Sequence, residues 1–254
     1  MQKPKTTSWG GVADWYAGLL KQGPGTYQYD VILPNLLRRL MIKPDMQILD
    51  LACGPGFFAH AFSKAGADVV ASDISPELIA IAKKQKDAKA VFHVSPADAI
   101  PFLKNKTVDQ VTIVLAIQNI KNMPGVFAEC SRVLKDGGRL HLVINHPSFR
   151  VPKASDWGWD EAKKIEYRRV EKYLNEISAP IQMHPGEDPD ELTLSFHRPL
   201  QTYVKALAKN GLAISWLEEW ISNRKSNSGP RMKAENAAKA EIPLFMYIEA
   251  TKCL

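Results

Sequence analysis

The chain has 254 residues, of which 45% are hydrophobic and 24% are charged, as in an ordinary globular protein. Its formal net charge is +6, and a basic balance suits nucleic acid, but the lysines and arginines form no long block, which favours a solvated surface. No apolar run reaches the roughly 18 residues of a membrane helix, and residues 1–11 lack the apolar core of a signal peptide, so we expect a soluble, cytoplasmic protein without membrane contact.

Short apolar runs alternate with amphipathic segments along most of the chain. The runs predict strands over residues 47–52, 68–72, 90–94, 108–115, 139–145, 213–218 and 243–251. Helical spacing and capping residues predict helices over residues 57–65, 123–134 and 199–210, and one that begins at Ser75-Pro76. Residues 147–195 lack strand periodicity, and we expect one helix there, near residues 160–174. Residues 222–241 are polar and are expected to form a loop.

Strand–helix alternation of this kind predicts an α/β fold with a doubly wound, mainly parallel sheet that is covered on both faces. The expected division has an N-terminal helical and aromatic segment over residues 1–35 that covers a ligand cleft. The core follows, from residues 36–146 and 196–254. Residues 147–195 are an insertion after the fifth strand, expected to act as a lid.

The chemistry begins at the turn after the first strand, Asp50-Leu51-Ala52-Cys53-Gly54-Pro55-Gly56. Glycines at a strand-to-helix turn let the backbone approach a ligand closely. Asp73 ends the second strand, where an acid commonly accepts hydrogen bonds from ribose hydroxyls. A lone Gly-x-Gly also fits a simple tight turn, but the acid in this context favours a nucleotide site.

Asp50 distinguishes between the nucleotides. The glycine loop formally fits the dinucleotide pattern G-x-G-x-x-G/A, but a carboxylate at its mouth would repel a pyrophosphate. It would attract a cationic group such as the α-amino group of S-adenosylmethionine, which has no phosphate. Asp50 could alternatively cap the following turn.

The motifs resemble those of class I S-adenosylmethionine-dependent methyltransferases, particularly the type 11 group. The resemblance covers about residues 30–145 and is carried by ILDLACGPG (48–56), ASDIS (71–75), 97–102, Val108-Asp109 and RVLKDGG (132–138), with a looser match at FHRPL (196–200). It implies S-adenosylmethionine as the cofactor and a seven-stranded Rossmann-like sheet whose last strand is antiparallel.

By this resemblance, Asp50 and Gly54 hold the methionine end, Asp73 takes the ribose hydroxyls and Ile74 packs on the adenine. Many family members have an acid before Ala97, but here that residue is Pro96, so either Asp98 or the backbone at Ala97 contacts the adenine edge. The full set of expected cofactor contacts is Asp50, Ala52, Gly54, Gly56, Asp73, Ile74, Ala97, Asp98, Leu115 and Ala116.

The catalytic group is less visible, because methyl transfer depends mainly on positioning. His146, after the fifth strand, is the best candidate base, although it could equally be structural. Cys53 is expected to be a packed thiol, and the three scattered cysteines predict no metal site. The expected acceptor contacts are Tyr16, Tyr29, Asn119, His146, Trp157 and Trp159. Arg168 and Arg169 could meet an acidic acceptor or lie on solvated surface.

The sequence leaves three candidate functions. The favoured one is methyl transfer to a small-molecule acceptor. The alternatives are an RNA (tRNA) methyltransferase, suggested by the positive charge, and a non-catalytic scaffold that binds S-adenosylmethionine.

Overall fold

The predicted apolar runs form one seven-stranded sheet in the computed structural model, which describes residues 9–21, 23–85, 89–184 and 188–253. The strands in chain order are β1 (Gln47–Leu51), β2 (Asp68–Asp73), β3 (Val91–Val94), β4 (Val108–Val114), β5 (Leu134–Asn145), β6 (Ser155–Asp160), β7 (Ile165–Val170), β8 (Ile177–His184), β9 (Asp188–His197), β10 (Leu212–Trp220) and β11 (Phe245–Lys252). The helices are α1 (Ala13–Lys21), α2 (Leu33–Leu40), α3 (Phe57–Lys64), α4 (Pro76–Lys83), α5 (Met123–Val133), α6 (Leu200–Lys209) and α7 (Met232–Glu241).

The large sheet has the order β10-β11-β5-β4-β1-β2-β3. Its pairs are parallel from β5 to β3, whereas β11 runs antiparallel to both β5 and β10. The predicted doubly wound, mainly parallel fold and its antiparallel last strand are therefore confirmed. Because all the parallel strands end at one edge, their carboxyl ends together form that side of the molecule.

Helices bury apolar residues against both faces of the sheet. On one face α5 and α6 contribute side chains such as Phe127 and Leu207. On the other face α2, α3 and α4 contribute Leu40, Phe62 and Ile79. All five side chains are at most 1% exposed, so each face has its own core. No helix in the described ranges is long and apolar enough to cross a membrane.

The prediction of a helix near residues 160–174 is wrong. Residues 155–170 instead form the β6–β7 hairpin, in which Trp157 pairs with Arg168 and Trp159 with Glu166. Burial along β7 alternates between exposed and half-buried residues, as it does in a ribbon with one covered face. The many charged residues on the open face hide this two-residue period from a reading of hydrophobicity.

Two further predictions from the sequence differ from the structure for similar reasons. The residues expected to form a loop at 222–241 include α7, whose sequence MKAENAAKAE is rich in strong helix formers but is polar on most sides. The β8–β9 hairpin also lies where no strand was expected, and β9 continues to His197, beyond the expected end of the insertion at residue 195. Neither hairpin joins the large sheet.

A buried ionic network ties α2 to β11. The Arg39 guanidinium donates to Glu249 Oε2 at 2.8 Å, and the Tyr247 hydroxyl donates to the same oxygen at 3.0 Å. Tyr247 also lies 2.7 Å from Nδ1 of His141, and burial lowers the pKa of this histidine to about 3. The neighbouring Arg38 pairs with Glu218 on β10, but its side chain is 53% exposed, against 17% for Arg39.

These adjacent arginines give a matched test of burial. Arg39→Ala should lower the free energy of unfolding by about 3 kcal/mol, because it leaves the buried Glu249 carboxylate with only a longer ion pair, to Arg139 at 3.6 Å. Arg38→Ala should cost less than about 1 kcal/mol, because its pair is open to solvent. Urea unfolding at pH 7 measures both, and equal losses would contradict the assignment.

Candidate cofactor site

The turn between β1 and α3 adopts an uncommon backbone conformation. Ala52, Gly54 and Gly56 have positive φ angles of 54°, 56° and 84°. This conformation costs little for glycine but strains an alanine, and such strain is concentrated at ligand sites. The turn is held by Cys53, whose amide donates to the Ser72 carbonyl at 3.0 Å.

Asp73, at the end of β2, fastens this turn from the neighbouring strand. Its Oδ2 accepts from the Gly54 amide and its Oδ1 from the Ser75 amide, both at 2.9 Å. Burial raises the pKa of Asp73, while these amide bonds oppose the rise. A carboxylate oxygen can accept more than one hydrogen bond, so Asp73 retains acceptor capacity toward the cleft.

Asp50 lies deeper, at 1% exposure, on β1. Its Oδ1 accepts from the Thr112 hydroxyl on the adjacent β4 at 2.7 Å. Its Oδ2 is buried and has no hydrogen-bond partner among the described residues. Burial raises the pKa of Asp50 to about 7, the Thr112 bond opposes the rise and the charge of Asp73 adds to it. An unpartnered buried carboxylate oxygen fits a site for a cationic group.

Both acids line a cleft of about 290 Å³ at the carboxyl edge of the sheet. The other wall is apolar and aromatic. Trp9 and Tyr16 come from the N-terminal segment, with ring centroids 5.4 Å apart, and Tyr16 lies over Gly54. Ile74, on the opposite wall, is 52% exposed although it is a large aliphatic residue.

The charges in the cleft favour a cation over a phosphate. Among the described lining residues, Asp50, Asp73 and Asp98 carry carboxylates, and Lys121 carries an ammonium group. Asp98 accepts a hydrogen bond from Asn122 Nδ2 at 2.7 Å. The excess of negative charge would repel a pyrophosphate, as the sequence indicated.

Most of the expected cofactor contacts come together in this cleft. Those that line it are Asp50, Ala52, Gly54, Asp73, Ile74, Ala97, Asp98, Leu115 and Ala116. Gly56 lies behind the wall, where a Cβ atom would meet Ala82 and Phe92 at 3.0 Å. The absence of a side chain at Gly56 therefore lets the start of α3 pack closely against α4 and β3. Whether each lining residue contacts the cofactor stays a prediction.

The expected acceptor contacts are dispersed. Tyr16 and Asn119 line the cleft, whereas Tyr29 lines a separate cavity with Leu33 and Phe57. Trp157 and Trp159 lie on the β6–β7 hairpin and are not among the residues lining the cleft. Leu20 and Lys121 are among the lining residues that the sequence motifs do not indicate. Leu20 follows Tyr16 by four residues on α1, so helical spacing could have indicated it.

His146 is buried, and both of its ring nitrogens are engaged. Nε2 lies 2.6 Å from Oε1 of Glu219 on β10, and Nδ1 accepts from the Ser148 amide at 3.2 Å. Burial lowers the pKa of His146, while Glu219 opposes the shift. Because neither nitrogen is left for an acceptor, this arrangement favours the structural alternative, and catalysis by His146 stays a prediction.

The end of β9 supports the loop that closes the cleft. The Leu194 carbonyl accepts from Asn119 Nδ2 at 3.0 Å. The Arg198 guanidinium donates to the carbonyls of Ile120 at 2.8 Å and Lys121 at 3.0 Å. The β8–β9 hairpin is therefore the part of the insertion that adjoins the cofactor cleft.

Comparison with known proteins agrees with this geometry. Residues 49–142 match the family described as a methyltransferase domain. The matched residues therefore carry a methyltransferase domain of the S-adenosylmethionine-dependent class. The cofactor of this class is S-adenosylmethionine, and the buried, unpartnered oxygen of Asp50 suits its ammonium group.

Two curated relatives and one solved structure illustrate the similarity. A demethylmenaquinone methyltransferase of Renibacterium salmoninarum is 34% identical over 118 residues, which cover 44% of this chain and 49% of that protein. The ubiquinone/menaquinone biosynthesis C-methyltransferase UbiE of Bordetella avium is 27% identical over 161 residues, covering 59% and 62%. The chain thus spans about half to three fifths of the length of these relatives.

The solved structure is an S-adenosylmethionine-dependent methyltransferase of Mesorhizobium loti. It superposes with a TM-score of 0.67 at 22% identity, over 89% of this chain and 98% of the other. This likeness covers most of the chain and supports the fold.

Two glycines allow a test of the turn. Gly56→Ala should lower the free energy of unfolding by about 2–4 kcal/mol, because the methyl group meets packed atoms and the residue keeps a positive φ. Gly66→Ala has φ +106° but nothing within 4 Å of the added atom, so it should cost only about 1–2 kcal/mol. Urea unfolding compares them, and an equal loss would show that packing at Gly56 is unimportant.

Proposed function

We propose that the protein transfers the methyl group of S-adenosylmethionine to a small-molecule acceptor. The observation that carries the proposal is Asp50, which lines a cleft with excess negative charge and whose buried Oδ2 has no hydrogen-bond partner among the described residues. The small-molecule class is supported by the apolar, aromatic wall and by the quinone-related names of the curated relatives.

The residues of the cleft have separate tasks. Asp50 holds the ammonium group of the methionine moiety, Asp73 accepts from the ribose hydroxyls, and Ile74 covers one face of the adenine. Tyr16 lies over the glycine turn and excludes water from it. The bound cofactor supplies an electrophilic methyl group, so the acceptor atom can attack it directly and the enzyme needs no nucleophile of its own.

Cys53 fits this scheme as a packed residue. Its thiol is buried, and burial together with the charge of Asp50 raises its pKa well above the ordinary value. The thiolate that a nucleophilic role requires is therefore disfavoured.

The raised pKa of Asp50 predicts how cofactor affinity depends on pH. Only the carboxylate attracts the ammonium group, so below a pKa of about 7 a proton competes with the ligand. The dissociation constant for S-adenosylhomocysteine should rise about tenfold per pH unit as the pH falls from 7 to 5.5. The amino group of the ligand stays charged in this range, since α-amino groups lose their proton near pH 8.

Calorimetric titration at several pH values measures this dependence. Asp50→Asn keeps the shape and the Thr112 contact but removes the charge, so this variant should bind weakly at every pH. A pH slope that is the same in the wild type and in Asp50→Asn would assign the effect to another group.

The function itself is tested by binding and turnover together. S-adenosylmethionine and S-adenosylhomocysteine should bind with dissociation constants of about 1 μM and NAD should not bind. Asp73→Asn should weaken that binding by about 1–3 kcal/mol, through loss of hydrogen bonds to a charged group. This variant preserves an acceptor for one of the two amides, Gly54 or Ser75, that Asp73 holds, whereas Asp73→Ala would remove both.

A methyl-transfer screen with labelled cofactor then separates the three functions. Label appearing in small metabolites, and lost in Asp73→Asn, supports the proposal. Label appearing in tRNA would assign the chain to RNA methylation. Tight cofactor binding with no transfer to either pool would favour the scaffold.

A further inference from the structure

Arg150 is a half-buried cation without a counter-charge. It follows β5 in a turn in which its amide donates to the His146 carbonyl at 2.8 Å. Its guanidinium makes no hydrogen bond or ion pair with the described residues, and its Nε is buried without a partner. Burial and the charge of Arg168 lower the pKa of Arg150. A charge in this position is costly unless something of opposite sign reaches it.

Arg168 brings a second guanidinium to the same place. It lies on β7, where Nε donates to the Phe149 carbonyl at 2.8 Å and Nη2 to the Ser155 hydroxyl at 2.9 Å. These bonds hold the side chain in one orientation and leave Nη1 without a hydrogen bond to the described residues. No carboxylate in the described part of the chain forms an ion pair with Arg168.

Trp157 provides the surface on which both arginines rest. The guanidinium carbons of Arg150 and Arg168 lie 5.7 and 5.3 Å from its ring centroid. Cation–π contact stabilises each cation, but it does not remove their mutual repulsion. A third arginine, Arg224, lies 4.2 Å from the ring of Tyr27, whose partial charge also acts on Arg150.

The acidic groups nearby are already occupied. Glu219 is bonded to His146, and Asp156 accepts from the Trp157 amide at 2.8 Å. Asp156 influences the charge of Arg168 through space, but it lies beyond ion-pair distance. The two guanidinium groups on Trp157 therefore form a positive site that is not neutralised by the described residues.

This site lies at the same edge of the sheet as the cofactor cleft. Leu115, at the end of β4, lines the cleft and donates its amide to Val143 on β5 at 2.8 Å. The chain leaves β5 at Asn145 and reaches Arg150 five residues later. Arg150 thus lies near the carboxyl end of β5, and β5 adjoins β4 on the side opposite β1.

We propose that Arg150 and Arg168, stacked on Trp157, bind an anionic group of the methyl acceptor, either a carboxylate or a phosphate. This rests on the proposed function, because it takes the ligand to be the molecule that is methylated. The two Nη groups of Arg150 match the paired oxygens of either anion, and Nη1 of Arg168 adds a further donor. The acceptor is then an acidic small molecule whose charged end lies against the β6–β7 hairpin.

The chain offers a clean variant and a matched control. Arg150→Gln removes no hydrogen bond or ion pair to the described residues. It loses the cation–π contact with Trp157 but also the repulsion from Arg168, so the fold should persist and the melting temperature should change little. Arg169 is the neighbour of Arg168 on β7 but is exposed and pairs with Glu171 at 3.3 Å. Arg169→Gln therefore removes the same charge from the same hairpin without touching the site.

The first experiment titrates inorganic phosphate and acetate into the wild type and both variants, saturated with S-adenosylhomocysteine, by calorimetry. At least one anion should bind the wild type, and Arg150→Gln should weaken it about tenfold, the scale of a lost charged hydrogen bond. Arg169→Gln should bind as the wild type does. Failure of both anions to bind, or an equal loss in Arg169→Gln, would overturn the proposal. The preferred anion distinguishes a phosphate from a carboxylate.

The second experiment links the site to the acceptor. Acidic metabolites are compared with their neutral methyl esters in the methyl-transfer assay. The acidic form should be preferred, and Arg150→Gln should raise its KM about tenfold while the affinity for S-adenosylhomocysteine stays constant. Equal rates of methylation of the acid and its ester by the wild type would refute the inference. It would also be refuted if a short RNA bound more tightly than phosphate and lost its affinity in Arg150→Gln. If S-adenosylhomocysteine binds neither the wild type nor the variants, the proposed function fails. The anion titration is then repeated without S-adenosylhomocysteine, and it still decides whether the arginines form an anion site.

Discussion

The contact between Asp73 and the Gly54 amide joins the ends of two adjacent strands, and the rest of the site depends on it. It holds the β1–α3 turn in its left-handed conformation while keeping an acid at the mouth of the cleft. Tyr16 packs over the turn in this conformation, and Asp50 is sealed beneath it. One carboxylate therefore serves both the backbone geometry and the charge of the pocket. For this reason a substitution at Asp73 changes structure and affinity together, and its effects need Asn rather than Ala to be separated.

The sequence predicts the central sheet and the cofactor side of the cleft because both are local. A buried parallel strand appears as an uninterrupted apolar run, and the glycine turn and Asp73 occur at fixed distances after such runs. The helix formers of α7 and the alternation in β6 and β7 are also in the sequence, but their charged faces conceal them. His146 shows a different limit. Its position after β5 is correct, yet its partner Glu219 lies 73 residues later, so the side chain's environment depends on the packing of β10.

The insertion divides into two hairpins that contact different parts of the core. The β8–β9 hairpin and Arg198, which follows it, form hydrogen bonds with the loop at residues 117–121, beside the cofactor cleft. The β6–β7 hairpin contacts α7, and Arg231 lies 4.6 Å from the ring of Trp159. A single lid formed by residues 147–195 would have to move both hairpins at once. The β8–β9 hairpin adjoins the cofactor cleft, whereas under the proposal above the β6–β7 hairpin presents charge to the acceptor. That residues 147–195 act as a lid stays a prediction.

The place of β11 in the sheet has a consequence for how the chain reaches its native state. This strand comes after all the other described strands in the sequence, yet it inserts between β5 and β10. Until residues 245–252 have left the ribosome, β5 lacks one neighbour and β10 has no partner in the large sheet. Both expose unpaired backbone edges during synthesis, when such edges can pair with other chains. Folding of this domain must therefore wait for its final strand, and a chain that stops before Phe245 would lose the centre of one half of the sheet, not merely its margin.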